Sequence, residues 1–258
     1  MRPRYHATEA IIFAAKTGFL TRSLYYEFFS SGDLRNTQKH WLNLVRRGLF
    51  KQHPSPTCSD TLVLCTNSMD ISDSQVMAVV PPPHVGQINH DEILAKILLR
   101  AKQQRLIQHW ISEAELKKVN AADFKLQDRR PAAKYPDALV TLNAPGKPVH
   151  VAIELELSRK SFKRYEDVAY AYRRIAGVKA VFFVCKNVEI VEAIKTAFKR
   201  ARFPSHEKPI GFALVDEWII SPADAGLEMP TRRTTLAALI AEISEKRRQS
   251  NLSLSTEV

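Results

Sequence analysis

The first 65 residues alternate apolar and polar positions in a pattern that predicts three short helices and a hairpin. Apolar residues recur at helical spacing after Thr8 and after Thr21, two residues suited to cap a helix N-terminus. A third helical pattern follows a Ser-Ser-Gly-Asp turn and ends at Gly48, since glycine is favoured just after a helix. Residues 49–51 and 62–65 have the composition of two short strands. This order predicts a winged helix-turn-helix.

A polar stretch and a triple proline separate this region from the rest of the chain. The polar residues are 68–75 and the prolines are residues 81–83, which continue neither a helix nor a sheet ladder. The sequence therefore predicts a domain at 1–75, a linker at 76–87, a second domain at 88–225, and a C-terminal helix and tail at 226–258.

Beyond the prolines the hydrophobic period changes repeatedly between helical and strand-like. Helices are predicted at residues 88–108, 160–175, 188–201 and 234–248, and strands at 136–142, 149–157, 180–185 and 211–215. The first two strands are joined by a turn with two prolines and a glycine, which indicates a hairpin. Helices alternating with strands predict an α/β domain with a mixed sheet.

The amino-acid composition indicates the kind of partner and argues against several classes of protein. The chain has 258 residues with 38 Lys and Arg against 27 Asp and Glu, a formal net charge of +11, which favours an anionic polymer as partner. No apolar run approaches the roughly 20 residues of a membrane span, and no secretion signal follows the basic start. Three cysteines without a C-x-x-C pair argue against a disulfide scaffold or zinc ribbon. We expect a cytoplasmic protein without membrane insertion.

The acids of the predicted hairpin carry the candidate chemistry. Because side chains alternate along a strand, Glu154 and Glu156 share one face, roughly 7 Å apart, while the neighbouring apolar residues share the other. Asp137 opens the preceding strand, where hairpin pairing brings it level with Glu154. Three carboxylates at one sheet edge are typical of a site for Mg²⁺ or Mn²⁺. Lys160 follows closely enough to place a positive charge beside a phosphate. The alternative is that this face of the sheet is simply solvated.

The basic residues are concentrated on one side of this cluster. Residues 159–202 hold twelve Lys and Arg against four acids, which favours contact with a DNA backbone. The third helix of the winged helix-turn-helix would enter the major groove, unless that domain is a dimerisation module instead. The predicted DNA-binding residues are Arg35, Asn36, Gln38 and Lys39 on that helix, Lys51 on the wing, and Lys163, Arg173 and Arg174 in the second domain.

The motif formed by Pro136-Asp137, Glu154-x-Glu156 and Lys160 resembles the core of PD-(D/E)XK nucleases, the fold of many restriction endonucleases. The lysine lies four residues after the second acid, whereas the usual form has Glu-x-Lys. With a winged helix in front, the chain more specifically resembles MobC-type plasmid mobilisation relaxases and related replication-relaxation proteins. The resemblance implies metal-dependent nicking of one strand of supercoiled double-stranded plasmid DNA at an origin of transfer. It also implies an accessory mobilisation protein and a type IV coupling protein as partners.

The resemblance assigns a role to each matching residue. Asp137, Glu154 and Glu156 become metal ligands, and Lys160 faces the phosphate. The next two matching residues, Arg164 and Tyr165, correspond to the family's Arg-Tyr pair, in which the tyrosine is a proposed nucleophile. Nearby positive charge would then lower the pKa of the tyrosine. Two alternatives stay open: the tyrosine packs on the sheet as part of an apolar helix face, and metal-activated water attacks instead.

Two other functions fit the same residues. One is a non-catalytic replication or transcription regulator with a decayed nuclease fold, and the other is a hydrolytic endonuclease of restriction or transposition type. Two further acids, Glu92 and Glu113, are consistent either with helix capping or with a place at the metal site.

Overall fold

The computed structural model describes residues 7–30, 32–55, 60–65, 79–126 and 135–255, with side chains to residue 249. The chain divides into two compact units, Met1–Lys96 with Ala114–Val119, and Ile97–Glu113 with Asn120–Val258. The polar residues 68–75 and part of the predicted linker, residues 76–78, lie outside the described residues.

The first unit contains three helices and a small antiparallel sheet. Its elements are α1 (Ala7–Thr17), β1 (Leu20–Thr21), α2 (Arg22–Phe28), α3 (Leu34–Arg46), β2 (Phe50–Gln52) and β3 (Thr61–Leu64). The strand order is β1-β3-β2, so a third strand joins the two that the sequence predicts. The three predicted helices and both predicted strands are confirmed within one or two residues.

Side-chain caps fix where these helices begin. The hydroxyl of Thr21 accepts a hydrogen bond from the Leu24 amide at 3.2 Å, as predicted for α2. Asp33 caps α3 by accepting from the Arg35 amide at 3.0 Å. The prediction that Thr8 caps the first helix is wrong, because Thr8 lies inside α1.

Val80 and Pro81, at the start of the proline segment, pack against the end of α1 within the first unit. The amide of Val80 donates to the Ala15 carbonyl at 2.9 Å. Gly18 has a φ of +82°, and a Cβ at this position would lie 2.1 Å from the Pro81 carbonyl oxygen. Only glycine permits both that backbone conformation and that approach.

The second unit is built on a seven-stranded mixed sheet. The chain enters this unit within α4 (Val85–Gln103), and after its first residue α5 (Glu113–Lys118) belongs to the first unit. The other elements of the second unit are β4 (Ile107–Ser112), β5 (Ala138–Leu142), β6 (His150–Glu156), α6 (Phe162–Arg174), β7 (Ala180–Cys185), α7 (Val188–Arg200), β8 (Ile210–Leu214), α8 (Val215–Ile220), β9 (Gly226–Met229), β10 (Arg232–Thr235) and α9 (Leu236–Ser255). The strand order is β10-β9-β8-β7-β6-β5-β4. β4, β5 and β6 are antiparallel neighbours, while β6, β7 and β8 are parallel. The predicted α/β class with a mixed sheet is confirmed.

Several elements differ from the sequence prediction. The helix predicted over 88–108 ends at Gln103, because Arg105 takes a left-handed φ of 58° and the chain then enters β4. Strands β9 and β10 were not predicted. The last helix begins at Leu236 and continues to Ser255, beyond the predicted end at 248.

Aromatic and aliphatic side chains fill both faces of the central strands. Phe182 packs edge-on against Trp218 of α8, with ring centroids 6.4 Å apart. On the opposite face, Phe183 contacts Phe198 of α7 at 5.3 Å. Within the described part of the chain, no helix is both long and apolar enough to cross a membrane.

Candidate functional site

The two glutamates of β6 are buried. Glu154 is 1% exposed and Glu156 is 2% exposed, because α6 covers this face of the strand. The alternative of a solvated sheet face is therefore wrong. Burying a carboxylate carries a large desolvation cost unless hydrogen bonds or opposite charges compensate it.

Strand register brings three acids into one row at this rim of the sheet. Ala138 pairs with Ile153, so the next position places Asp137 opposite Glu154. Ser112 pairs with Ala138, and the amide of Glu113 continues the ladder by donating to the Asp137 carbonyl at 3.1 Å. Residues paired in this way project their side chains on the same face. Glu113, directly after β4, Asp137, directly before β5, and Glu154 on β6 thus follow one another along this rim.

Each acid of the predicted cluster accepts a hydrogen bond from within the unit. Asp137 Oδ2 accepts from the Leu155 amide at 2.8 Å. Glu154 Oε1 accepts from the hydroxyl of Tyr172. Glu156 Oε1 accepts from Lys160 Nζ at 2.6 Å, in an ion pair whose lysine side chain is 25% exposed. The predicted lysine therefore does lie at the cluster, where it neutralises Glu156.

The negative charge of the acidic row affects the pKa of Tyr172. Burial, the charge and hydrogen bond of Glu154, and then the charges of Asp137 and Glu113 raise the pKa of this phenol well above its usual 10. The tyrosine therefore remains protonated and donates to Glu154. The sequence analysis did not single out Tyr172. It lies seven residues, or about two helical turns, after Tyr165, and this spacing is the signal that both buried rings lie on the same face of α6.

A metal ion has suitable donor atoms at this rim. Carboxylate oxygens on adjacent strands are the hard ligands that Mg²⁺ and Mn²⁺ take. Within the described residues, however, no three His, Cys, Asp or Glu side chains are arranged so that they could hold an ion. Each of the three acids is directed to a partner in the chain. An ion that binds here must displace at least one of those bonds.

Tyr165 lies beneath the surface beside the same cluster. Its side chain is fully buried, and its oxygen accepts a hydrogen bond from the Lys160 amide at 3.1 Å. The expectation of a lowered pKa is wrong. Burial raises the pKa to about 12, and the charge of Glu156 adds to this effect against the opposing backbone hydrogen bond. A protonated, enclosed phenol favours water over Tyr165 as the attacking group.

The predicted cations of α6 lie on its outer side. The side-chain hydroxyl of Ser161 caps the helix, accepting from the Arg164 amide at 3.3 Å. The exposed basic residues of this helix are Lys163, Arg164, Arg173 and Arg174. Their position suits contact with phosphates and leaves the apolar face of α6 for the sheet.

The predicted recognition helix presents a mixed surface. Arg35, Lys39 and, on the wing, Lys51 are exposed. Two of the amides predicted to contact bases already have partners: Asn36 Nδ2 donates to Asp33 Oδ2 at 2.6 Å, and Gln38 Oε1 accepts from Arg22. The sequence analysis missed three exposed apolar residues on this helix, Leu34, Leu42 and Val45. Such side chains can contact thymine methyl groups in a major groove.

The two acids of undecided role have different surroundings. Glu92 forms an ion pair with Lys96 at 3.0 Å, one helical turn later in α4. Glu113 begins α5 and stands at the end of the acidic row. Of the two, only Glu113 joins the carboxylates of the sheet rim in the geometry described above.

Comparisons with protein families, with curated proteins and with solved structures find no match for this chain.

Proposed function

We propose that this protein binds duplex DNA through its first unit and cuts one DNA strand at the acidic rim of its second unit, in a reaction that uses Mg²⁺ or Mn²⁺. The observation that carries the proposal is the row of Glu113, Asp137 and Glu154 at the rim formed by β4, β5 and β6. Glu154 is buried in that row, where apolar residues are favoured, so its alignment with two further acids supports a function beyond folding.

The chain's own residues supply the electrostatic parts of such a site. Lys160 is partly exposed beside buried Glu156 and offers a positive charge to a phosphate. The exposed cations of α6 contact the flanking backbone. If a divalent ion displaced the hydrogen bonds of Asp137, Glu154 and Glu156 and was held by these acids, it would polarise the phosphate and activate water.

The first unit supports DNA as the substrate. Three helices and a three-stranded antiparallel sheet, with Asp33 fixing the start of the third helix, support a winged helix-turn-helix. Together with the net charge of +11, this arrangement favours duplex DNA over a small acidic substrate. The finer proposal is a relaxase that nicks plasmid DNA at an origin of transfer, with an accessory mobilisation protein and a type IV coupling protein as partners.

A second candidate is a DNA-binding regulator that does not cut. It is favoured by the bonding of the acids, since Tyr172, Lys160 and the Leu155 amide each donate a hydrogen bond to one of them. In that case the cluster fixes the packing of α6 on the sheet, a structural role that buried polar networks can have.

Cleavage of supercoiled DNA distinguishes these candidates. The protein is incubated with Mn²⁺ or Mg²⁺ and a supercoiled plasmid that carries the DNA flanking its own gene. Open circles support the relaxase, linear product supports a double-strand endonuclease, and unchanged supercoils support the regulator. Glu156→Gln should abolish nicking and retain duplex binding, while the exposed control Glu189→Gln should retain both.

Tyr165 is tested in the same assay. If water attacks, Tyr165→Phe nicks as the wild type does and no protein–DNA adduct survives SDS. An adduct formed by the wild type and lost in the Phe variant would establish the tyrosine as nucleophile.

A further inference from the structure

A pocket outside the acidic rim opens on the second unit, where the end of α7 meets β8 and β9. Its volume is about 420 Å³, within the range of roughly 300–1,000 Å³ typical of ligand sites. Its lining combines aromatic rings with basic side chains: Lys195, Phe198, Lys199, Arg202, Phe203 and Phe212. None of the proposed catalytic residues belongs to this lining.

The apolar part of the pocket is aromatic and well supported. Phe203 is half-buried and packs on Phe198 with ring centroids 5.0 Å apart. Phe198 in turn packs on Phe183 at 5.3 Å. A partly exposed ring that is held from behind offers a firm surface on which a planar apolar group can stack.

The basic residues of the pocket fall into two classes. Lys195 is already neutralised, because its Nζ donates to Glu192 at 2.8 Å and to Glu228 at 2.6 Å. Lys199 and Arg202 are exposed at the mouth, and within the described residues no ion pair engages either of them. Arg202 has a left-handed φ of 49° at the end of α7, which places its side chain among the lining residues. These two cations are available to an anion.

We propose that this pocket binds one unpaired nucleotide of a single-stranded DNA segment. The base stacks on Phe203, and its phosphate binds Lys199 and Arg202. Stacking on an aromatic side chain together with phosphate contacts is how proteins hold single strands without reading their sequence. A paired base has both of its faces covered by neighbouring pairs, so the pocket discriminates against duplex DNA.

The place of the pocket in the sheet links it to the proposed cutting site. Glu154 pairs with Phe183, and Phe183 pairs with Phe212, so the acid and the pocket wall share one register row and one face. At about 4.8 Å per strand, Phe212 lies roughly 10 Å from Glu154 across the sheet. The inference thus deepens the proposed function, on which it rests, by naming a site for a strand that separates from its complement beside the cut, although binding itself requires no cutting.

The test uses two arginines that differ only in position. Arg105 and Arg202 are both exposed, both belong to the second unit, and both have left-handed φ values, 58° and 49°. Glycine tolerates this conformation, so Arg202→Gly and Arg105→Gly each remove one charge without backbone strain. Binding of the full chain to a fluorescein-labelled oligothymidylate is measured by anisotropy in EDTA, where no metal-dependent cleavage occurs.

Arg202→Gly should weaken binding of the single strand about 5- to 10-fold, whereas Arg105→Gly should change it by less than about twofold. Phe203→Leu keeps an apolar side chain but removes the ring, and should weaken the single strand by a similar factor while leaving a hairpin duplex unaffected. Equal losses in the two arginine variants, or equal losses on duplex and single strand, would overturn the proposal.

Thymidine monophosphate separates a strand from a free nucleotide as the occupant. Binding of the oligothymidylate at least about tenfold tighter than the mononucleotide supports a strand, because neighbouring phosphates add contacts. Equal affinities would assign the pocket to a free nucleotide and overturn the strand. If plasmid nicking fails while oligothymidylate binding stands, the proposed cutting is refuted and the pocket is not.

Discussion

Between Glu113 and Phe212, one register row of the large sheet has opposite character at its two ends. The acidic end consists of Glu113 directly after β4, Asp137 directly before β5 and Glu154 on β6, and the aromatic end consists of Phe183 on β7 and Phe212 on β8. Beyond Phe212 the row continues to Glu228 on β9 and Arg233 on β10. The aromatic end stabilises itself by burial, whereas each acid needs a hydrogen-bond donor to compensate its desolvation. Burial thus stabilises the aromatic end directly, while the acidic end depends on its hydrogen bonds.

The largest expected effect is at the aromatic end. Phe183 is 1% exposed, stacks on Phe212 at 5.9 Å, and supports the rings of the pocket. Phe183→Ala should lower the free energy of unfolding by about 3–5 kcal/mol, measured by urea denaturation. Phe183→Leu, which retains most of the volume, should lose much less. A loss below about 1 kcal/mol in the Ala variant would contradict the view that burial stabilises this end.

The acidic end should respond to the loss of a single hydroxyl. Tyr172→Phe removes a hydrogen bond to the buried carboxylate of Glu154. We expect a loss of about 1.5–3 kcal/mol in the free energy of unfolding, the range for hydrogen bonds to charged groups. Tyr170→Phe is the matched control, because Tyr170 lies on the same helix and is 49% exposed. Equal effects of the two substitutions would show that the bond to Glu154 carries no special weight.

These two ends were not equally predictable from the sequence. The aromatic strand β7 has an uninterrupted apolar run, and such a run predicts a buried strand directly. The face of Glu154 and Glu156 gave no such signal. A strand with alternating acids looks the same whether water or a helix covers it, and the covering helix lies later in the chain. The role of Tyr172 was missed for the same reason.

The strands β1, β9 and β10 were missed because they are short. β1 has two residues, and β9 and β10 have four each. Segments this short have too few positions to show a period, and their strand conformation depends on hydrogen bonds to partners distant in the chain. Longer elements with clear periodicity, such as α6 and α7, were predicted within two residues. The local hydrophobic pattern therefore predicted the longer helices and strands, but it did not predict which element covers each face of the sheet.

Alkaline pH should expose the cost of enclosing protonated groups beside the acids. The pKa of Tyr165 is raised to about 12 from 10, and that of Cys185 to about 12 from 9, in both cases first by burial. The unfolded chain loses these protons at lower pH than the folded chain. Stability is therefore fully present below pH 9 and falls as the pH rises from 9 to 12.

Substitution isolates the contribution of the phenol to that fall. In Tyr165→Phe the decline between pH 10 and 12 should be shallower, as followed by urea denaturation at a series of pH values. Tyr170→Phe should leave the profile unchanged, because that ring is largely exposed. An identical slope in wild type and Tyr165→Phe would show that the buried phenol does not bind its proton more tightly in the folded state.

The smallest expected change in stability is that of the two arginine variants, and it distinguishes a loss of binding contacts from a loss of folding. Arg105 and Arg202 occupy left-handed backbone at φ values of 58° and 49°, a conformation that disfavours side chains with a Cβ. Replacement by glycine relieves that strain but increases the entropy of the unfolded chain. The free energy of unfolding should therefore rise by only about 0–1 kcal/mol in each variant. If both variants are as stable as the wild type and only Arg202→Gly loses single-strand binding, unfolding does not explain the loss. The lost binding then comes from the lost contact between Arg202 and the strand. A marked fall in the stability of Arg202→Gly alone would instead mean that this arginine supports the turn itself.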